Sequence, residues 1–272
     1  MRLLGHAPLM KRGTLWVALW LCGCGGGTPI IEIPPVDEEE SFADRDAATD
    51  EASGPWVPEE GGPLVRLGAR DLAQGEALQL EGAPCEQVVA YVVSGRLRDG
   101  GATREAGTLL RTQDLISLVA EEPSRVVVAV SSPEDRTHCV PTDDAVTRLG
   151  EPLLNSGGKL RVHILLDAES GATFGSFAIL DGDADLAVPE HVHESSAEVL
   201  LIEEGDGTFL IGEERTTVVA GQVFYIPANT PHGYEPGTQP LRAYQVYAPP
   251  GPEQRFRETP FARHRASTGE LK

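Results

Sequence analysis

Apolar and polar positions alternate over short stretches from Leu64 onward, and no segment sustains a helical period of 3.6. Valine-rich runs at Val88–Val93, Gly95–Leu97, Leu115–Val119 and Arg125–Val130 are bounded by Gly, Pro and Asp, the composition of strands between turns. A second series follows at Lys159–Leu166, Phe177–Leu180, Val199–Ile202, Val223–Ile226 and Arg242–Tyr247. The pattern predicts an all-β chain in two units, 63–141 and 159–252, joined by a polar, turn-rich linker at 142–158. Residues 253–272 form a tail in which charges alternate with Phe256 and Phe261. That tail is expected to pack partly along the second unit and to fray after Pro260.

The first 62 residues follow a different rule. Arg2, Lys11 and Arg12 precede the apolar stretch Leu15–Leu21, which falls short of the roughly 20 residues that span a bilayer. Leu21-Cys22-Gly23-Cys24 resembles a bacterial lipobox, so residues 1–23 are expected to be a signal peptide and Cys24 the lipid-bearing first residue of the mature chain. Modification of Cys22 is the rival assignment, and the bulky Trp20 and Leu21 before it make it the poorer one. Residues 24–62 are then an acidic tether. Residues 25–62 hold eleven Asp/Glu against a single Arg45, about half of the net charge of −20. So few apolar residues cannot offset the entropy of ordering, and the tether is expected to be disordered. These features predict an extracytoplasmic protein held to a bacterial membrane. The absence of a basic stripe argues against a nucleic-acid partner.

The chemistry is concentrated between residues 182 and 237. His191 and His193 stand two apart in a segment that reads as a strand, so both rings can share a face. A turn at 194–197 would lay the run opened by Glu198 antiparallel to them. His232 follows Gly221, Val223–Ile226 and Pro227. Three imidazoles and a carboxylate suit a divalent first-row metal: Fe, Mn, Ni, Cu or Zn.

These residues resemble the cupin family. His191-Val192-His193, four residues, Glu198, six residues and Gly205 repeat the spacing of its first motif, and Gly221, Pro227 and His232 that of its second. The chain departs from the pattern at the leading glycine, at Asn229 and at Pro236. Asn229 is a mild departure, because asparagine tolerates positive φ. The resemblance implies tandem double-stranded β-helix (jelly-roll) barrels after the tether, with His191, His193, Glu198 and His232 as metal ligands. The rhythm of Ala90–Leu97 echoes that of Val199–Gly205, and Gly107 with Leu115–Leu118 echoes Gly221–Ile226. The first unit therefore resembles a degenerate cupin without histidine ligands, an unrelated β-domain being the alternative. His138 in a polar loop and His163 on a strand read as surface and packing residues.

Cys85 and Cys139 bracket the first unit, and in an oxidising compartment they are expected to pair; two buried free thiols are the alternative. Gly205-Asp206-Gly207 looks like the start of a dinucleotide loop, but no helix follows, and it reads as a hairpin turn. Phe177, Phe224, Tyr225, Tyr234, Gln245 and Tyr247 lie near the ligands, about half of them facing inward by strand alternation. Three functions remain open: a metal-dependent oxygenase or isomerase, a non-catalytic binder of a sugar or organic acid, and a structural surface protein. A small-molecule ligand is the expected partner in the first two, and homo-oligomers are left open.

Overall fold

The computed structural model describes residues 64–135, 137, 139 and 143–258. The expected signal peptide, lipidated Cys24, tether, His138 and Phe261 lie outside them.

Nineteen strands form four antiparallel sheets among the described residues. The first eight are β1 (Leu64–Leu72), β2 (Ala77–Glu81), β3 (Gln87–Ser94), β4 (Arg96–Asp99), β5 (Ala102–Glu105), β6 (Thr108–Thr112), β7 (Leu115–Ala120) and β8 (Ser124–Ser132). They build one barrel from the sheets β1-β8-β3-β6 and β2-β7-β4-β5. Next come β9 (Ala145–Arg148), β10 (Leu153–Asn155) and β11 (Leu160–Leu166). The last eight are β12 (Phe177–Gly182), β13 (Val188–His191), β14 (Ala197–Glu204), β15 (Gly207–Ile211), β16 (Glu214–Val218), β17 (Val223–Ile226), β18 (His232–Pro236) and β19 (Leu241–Ala248). Their sheets, β12-β19-β14-β17 and β13-β18-β15-β16, repeat the first barrel strand for strand. The fold is therefore two tandem jelly-roll barrels.

Finer details repeat as well. β3 carries a bulge between Val92 and Ser94, and β14 carries one between Ile202 and Glu204. Each bulged strand leads into a positive-φ glycine, Gly95 at φ 80° and Gly205 at φ 116°. Gly107 N–H donates to Val92 O, and Gly221 N–H to Ile202 O, both at 2.8 Å. The counterpart of Val223–Ile226 is thus β6, directly after Gly107, and not the Leu115–Leu118 run that the sequence suggests.

The barrels lie back to back. Alternate residues of β1, β3 and β8 (Val65, Leu67, Val89, Tyr91, Val127, Ala129) meet those of β12, β14 and β19 (Phe177, Ile179, Val199, Leu201, Tyr244, Val246) in one buried cluster. The residues between them face the barrel interiors: Val88, Ala90 and Val92 in the first, Leu200, Ile202 and Ala243 in the second. Both faces of β3 and β14 are therefore dry, which is why these strands read as unbroken apolar runs. Polar staples hold the edges of the interface. Gln87 Nε2 donates to Gly175 O at 2.7 Å, and Arg125 bridges Asp71 on its own barrel and Glu203 on the other, at 2.7 and 2.9 Å. Arg111 is buried and donates to the carbonyls of Gly171 and, at 2.6 Å, Asp143.

Three further local expectations are corrected. Residues 142–158 are not a plain linker, since β9 extends the first barrel along β6 and β10 extends the second along β11. β9 is four residues long and alternates half-buried Ala145 and Thr147 with exposed Val146 and Arg148, so no apolar face marks it in the sequence and it passes for a loop. Gly205–Gly207 is not a hairpin turn. β14 and β15 belong to different sheets, so this is a corner where the chain crosses the barrel. Asp206 fastens that corner, its carboxylate accepting from the backbone N–H groups of Thr238 and Gln239 at 2.8 and 2.6 Å. The third correction concerns residues 194–197 and belongs with the site.

Cys85 and Cys139 are joined, with Cα atoms 5.1 Å apart. The link ties the entry of β3 to the exit of β8, its neighbour in the sheet.

Candidate metal centre

The four predicted ligands meet inside the second barrel. One ligand atom from each of His191, His193, Glu198 and His232 falls within a group no wider than 4.8 Å. His191 ends β13 and is the direct cross-strand partner of His232 on β18. His193 lies two residues beyond the strand end and is buried. Glu198 comes from β14 in the opposite sheet, not from a hairpin with the histidine strand. The segment 194–197 is the crossing between sheets, and the carboxylate reaches the imidazoles across the barrel interior.

Backbone carbonyls fix the histidine tautomers. A carbonyl can only accept, so His191 Nδ1 donates to Pro189 O at 2.9 Å and His232 Nδ1 to Thr230 O at 2.8 Å. Both rings then turn Nε2 inward, the orientation that outer partners give to metal-binding histidines. The turn carrying Thr230 depends on Asn229 at φ 61°, so asparagine does take up the left-handed conformation at the position where the cupin pattern has glycine. Asn229 N–H donates to His193 O at 2.7 Å and ties this turn to the segment that carries His193.

His191 Nε2 is buried without a hydrogen-bond partner among the described residues. Glu198 Oε2 lies 2.9 Å from His232 Nε2 and 3.2 Å from His193 Nε2. Burial opposes charge on Glu198, yet its hydrogen bonds to His193 and His232 outweigh burial and hold the carboxyl below its usual range. Burial also works against a charged His232, but the Glu198 carboxylate raises it overall, and the ring then donates through both nitrogens. Burial pushes His191 down to about 4, with smaller contributions from the charges of His232 and Arg255. A divalent cation in place of the His232 Nε2 proton would meet the same carboxylate and give the orphaned His191 lone pair a partner. The donor set, N₃O with the tautomers of His191 and His232 fixed, fits such an ion.

A further shell orders Glu198. Gln245 donates to Glu198 Oε1 and to Tyr247 Oη, the latter at 2.9 Å. Tyr247 packs edge-on against His193 with centroids 4.9 Å apart. Of the six residues expected near the ligands, Phe224, Tyr234, Gln245 and Tyr247 belong to the metal barrel's interior, whereas Phe177 and Tyr225 pack into the interface between barrels. His163 stays away from the cluster, with Nδ1 2.9 Å from Gly150 O.

A cavity of about 470 Å³ opens onto His191, Glu198 and His232. Its walls are mainly apolar, with Leu180, Leu186, Leu200, Phe209 and Phe256 among them. The chain beyond β19 closes part of it through a short turn and the helix α1 (Arg255–Glu258). Phe256 is buried, and Arg255 lines the cavity and donates to Tyr247 Oη at 3.1 Å. Sequence reasoning missed Arg255 and Asn155, another cavity residue. The one local signal was Pro252 before Glu253-Gln254-Arg255-Phe256, a proline at the start of a helical turn.

Residues 173–268 match the AraC-like ligand binding domain family. A quercetin 2,3-dioxygenase of Bacillus subtilis is 28% identical over 100 residues, which are 36% of this chain and only 30% of the enzyme's length. Among solved structures, AerE from Microcystis aeruginosa superposes with a TM-score of 0.53 at 16% identity, over 72% of this chain and 96% of its own. An oxalate decarboxylase from Bacillus subtilis gives 0.50 at 14%, over 72% and 74% of the two chains. At such identities the likeness to the solved structures is one of fold. The jelly-roll topology, the family match over the metal barrel and the similarity to a dioxygenase together support placing this chain in the cupin superfamily.

Proposed function

We propose that the protein is a metal-dependent oxygenase of the cupin type, acting on a small oxygenated molecule held in the cavity of the second barrel. One observation carries this reading: the ligand cluster faces a cavity large enough for such a molecule. Four protein ligands close a tetrahedral site, but on an ion that takes five or six ligands they leave one or two positions open toward the cavity. His191, His193, Glu198 and His232 would hold the ion, and the ion would supply open coordination positions that polarise substrate oxygens. The chain's own contribution is to orient and to exclude water. Gln245 and Tyr247 fix the Glu198 carboxylate, while the leucine and phenylalanine walls shield the reacting atoms.

The similarity to a quercetin 2,3-dioxygenase favours turnover over simple binding. The match to an AraC-like ligand binding domain supports a second reading, a sensor or carrier that binds without converting. Dioxygen uptake by protein loaded in turn with Fe, Mn, Ni, Cu and Zn, screened against phenolic and keto compounds, separates the two. Uptake that depends on both metal and compound supports the oxygenase. Saturable binding with no uptake for any metal supports the carrier.

On sequence grounds alone we add that the barrels are exported and held to a bacterial membrane through Cys24. Replacement of Cys24 by Ala should release the protein from membranes or block its processing, and unchanged retention and size would reject the anchor.

A further inference from the structure

We propose that the cavity of the second barrel takes an amphiphile, with an oxygenated head at the metal and a hydrocarbon body along the barrel, and rejects sugars and other polyols. This rests on the metal-cavity reading above and names the substrate class for it.

The strand registers sort the barrel interior into layers. Glu198 on β14 is level with Tyr247 on β19. Two residues on, about 6–7 Å along the strands, Leu200 is level with Gln245, and Gln245 with Ala178 on β12. The next inward layer is Ile202, Ala243 and Leu180, and Leu241 with Gly182 follows. The other sheet keeps the same order, since Tyr234 comes two residues after His232 on β18 and stands opposite Phe209 on β15. Polarity therefore falls in one direction. Beyond the ligands and Gln245, the inward positions of β12, β14 and β19 are apolar or glycine.

The polar side chains that line the cavity are already engaged. Gln245 donates to Glu198 and Tyr247, and because a carboxylate only accepts, its amide nitrogen is fixed on that side. Tyr234 Oη donates to Asp206 O at 2.6 Å, and Asn155 Nδ2 donates to Phe256 O at 3.4 Å. Arg255 donates to Tyr247 Oη at 3.1 Å and lies over the Phe256 ring, and the buried Glu253 carboxylate opposes its charge at Tyr247. Ser156 and Glu190 are exposed. Of the buried polar atoms around the cavity, those without a partner among the described residues are His191 Nε2 and Gln245 Oε1, one on a metal ligand and the other on its neighbouring layer.

Two magnitudes then decide the class. A hydroxyl buried against leucine and phenylalanine without a partner weakens binding by a factor of about five or more. A methylene buried in its place strengthens binding about fourfold. A sugar carries a hydroxyl on nearly every carbon and loses at each position beyond the metal layer, whereas a hydrocarbon body gains there.

Hydroxamates test this, because one metal-binding head can carry bodies of different length and polarity. Acetohydroxamate, hexanohydroxamate and gluconohydroxamate, the last two equal in carbon count, are titrated calorimetrically into the nickel-loaded full chain. Nickel content is measured on the same samples. Hexanohydroxamate should bind about thirtyfold or more tighter than acetohydroxamate, and gluconohydroxamate about tenfold or more weaker than hexanohydroxamate. Ala243→Phe puts a ring into the first wholly apolar layer. It should keep its nickel and its affinity for acetohydroxamate and lose most of the gain from the longer body. The proposal is overturned if hexanohydroxamate binds no tighter than acetohydroxamate, or if gluconohydroxamate matches it. It is also overturned if the nickel-loaded chain binds none of the three, or if the gain survives intact in Ala243→Phe. Nickel near zero in the wild-type chain would instead remove the metal-cavity reading, and the proposal with it. Should Ala243→Phe not fold, the two wild-type comparisons still decide.

Discussion

The two barrels share one topology and differ in what fills them. The register superposes their interiors residue by residue. His191 faces His232 across β13 and β18, and Leu80 faces Ile116 across the equivalent strands β2 and β7. Glu198 pairs with Ile226 and Tyr247, and its counterpart Val88 pairs with Thr112 and Val130. Two residues beyond Leu80, where the second barrel has His193, stands Gly82. A Cβ there would meet the Gln113 carbonyl oxygen at 2.6 Å. All four ligand positions are thus apolar or closed in the first barrel. Val88, Ala90, Val92, Leu97, Leu118 and Val126 fill its interior, and it contributes half of the interface that steadies the strands around the metal site. The same frame serves as packing in one copy and as a site in the other. Four clustered ionisable groups, three buried and His191 half-buried, are tolerable only where they satisfy one another or an ion.

The largest expected effect breaks the contrast from the side of the site. His191→Ala with His232→Ala should take bound metal from about one per chain to near zero, read by elemental analysis, while His163→Ala leaves it unchanged. Metal near one per chain in the double variant would reject the tetrad. The reciprocal change, Val88→Glu, puts a carboxylate into an interior with no imidazole to pair with it. It should destabilise the protein by several kcal/mol and bring no second metal, as denaturant titration and metal analysis can show.

The link between barrels comes next. Phe177 is fully buried in the shared cluster, its ring centroid 5.8 Å from that of Tyr91 and 6.1 Å from that of Tyr244. Phe177→Ala should cost about 3–5 kcal/mol and lower metal retention together with stability, because β12 and β19 line the site on their other face. Full stability in that variant would show that the barrels stand independently. The Cys85–Cys139 link closes a loop with a sequence separation of 54 and acts on the first barrel alone. Cys139→Ser should cost about 2–4 kcal/mol and leave metal affinity untouched. Two alkylatable thiols in unreduced, freshly isolated protein would rule the bridge out.

Much of this contrast was legible in the chain. The ligand tetrad could be read because metal chemistry demands particular side chains at strand and turn spacings, and His191, His193, Glu198 and His232 keep them. The strands could be read because alternation of burial leaves a two-residue period. What stayed hidden depends on partners distant in sequence. β9 and β10 exist because edges of both barrels were available to pair with, and nothing local in Ala145–Arg148 or Leu153–Asn155 announces that. The route of Glu198 across the barrel was misread as a hairpin because two short apolar runs close in sequence look alike whether they pair or cross. Arg255 was invisible for the same reason. Its meaning comes from Tyr247 and the cavity, not from its neighbours in the chain.

The smallest expected effect concerns the segment that closes the second barrel and has no counterpart in the first among the described residues. Asp167, in the turn between β11 and β12, is 1% exposed and holds this segment in place. Its carboxylate accepts from Gln254 at 3.1 Å, from Arg257 at 2.5 Å, and from the Ser170 hydroxyl and backbone N–H at 2.8 and 2.9 Å. Burial alone would raise its pKa, but these donors, Arg257 foremost, outweigh burial and lower it to about 2. An unfolded aspartate titrates near 3.9, so the folded form binds its proton more weakly. The stability this contributes is fully present above pH 4 or so and is lost as the pH falls toward 2. With Arg257 40% exposed, solvent screening limits the contribution to about 1–2 kcal/mol. Asp167→Asn should therefore be less stable than the wild type by that amount between pH 5 and 7, and the gap in denaturation midpoints should narrow as both are titrated from pH 4 to pH 2. Metal content should change little, since no ligand moves, whereas release of Arg255 and Phe256 from the mouth should speed metal loss to a chelator. A gap that stays constant down to pH 2 would show that the carboxylate charge does not hold the closing segment.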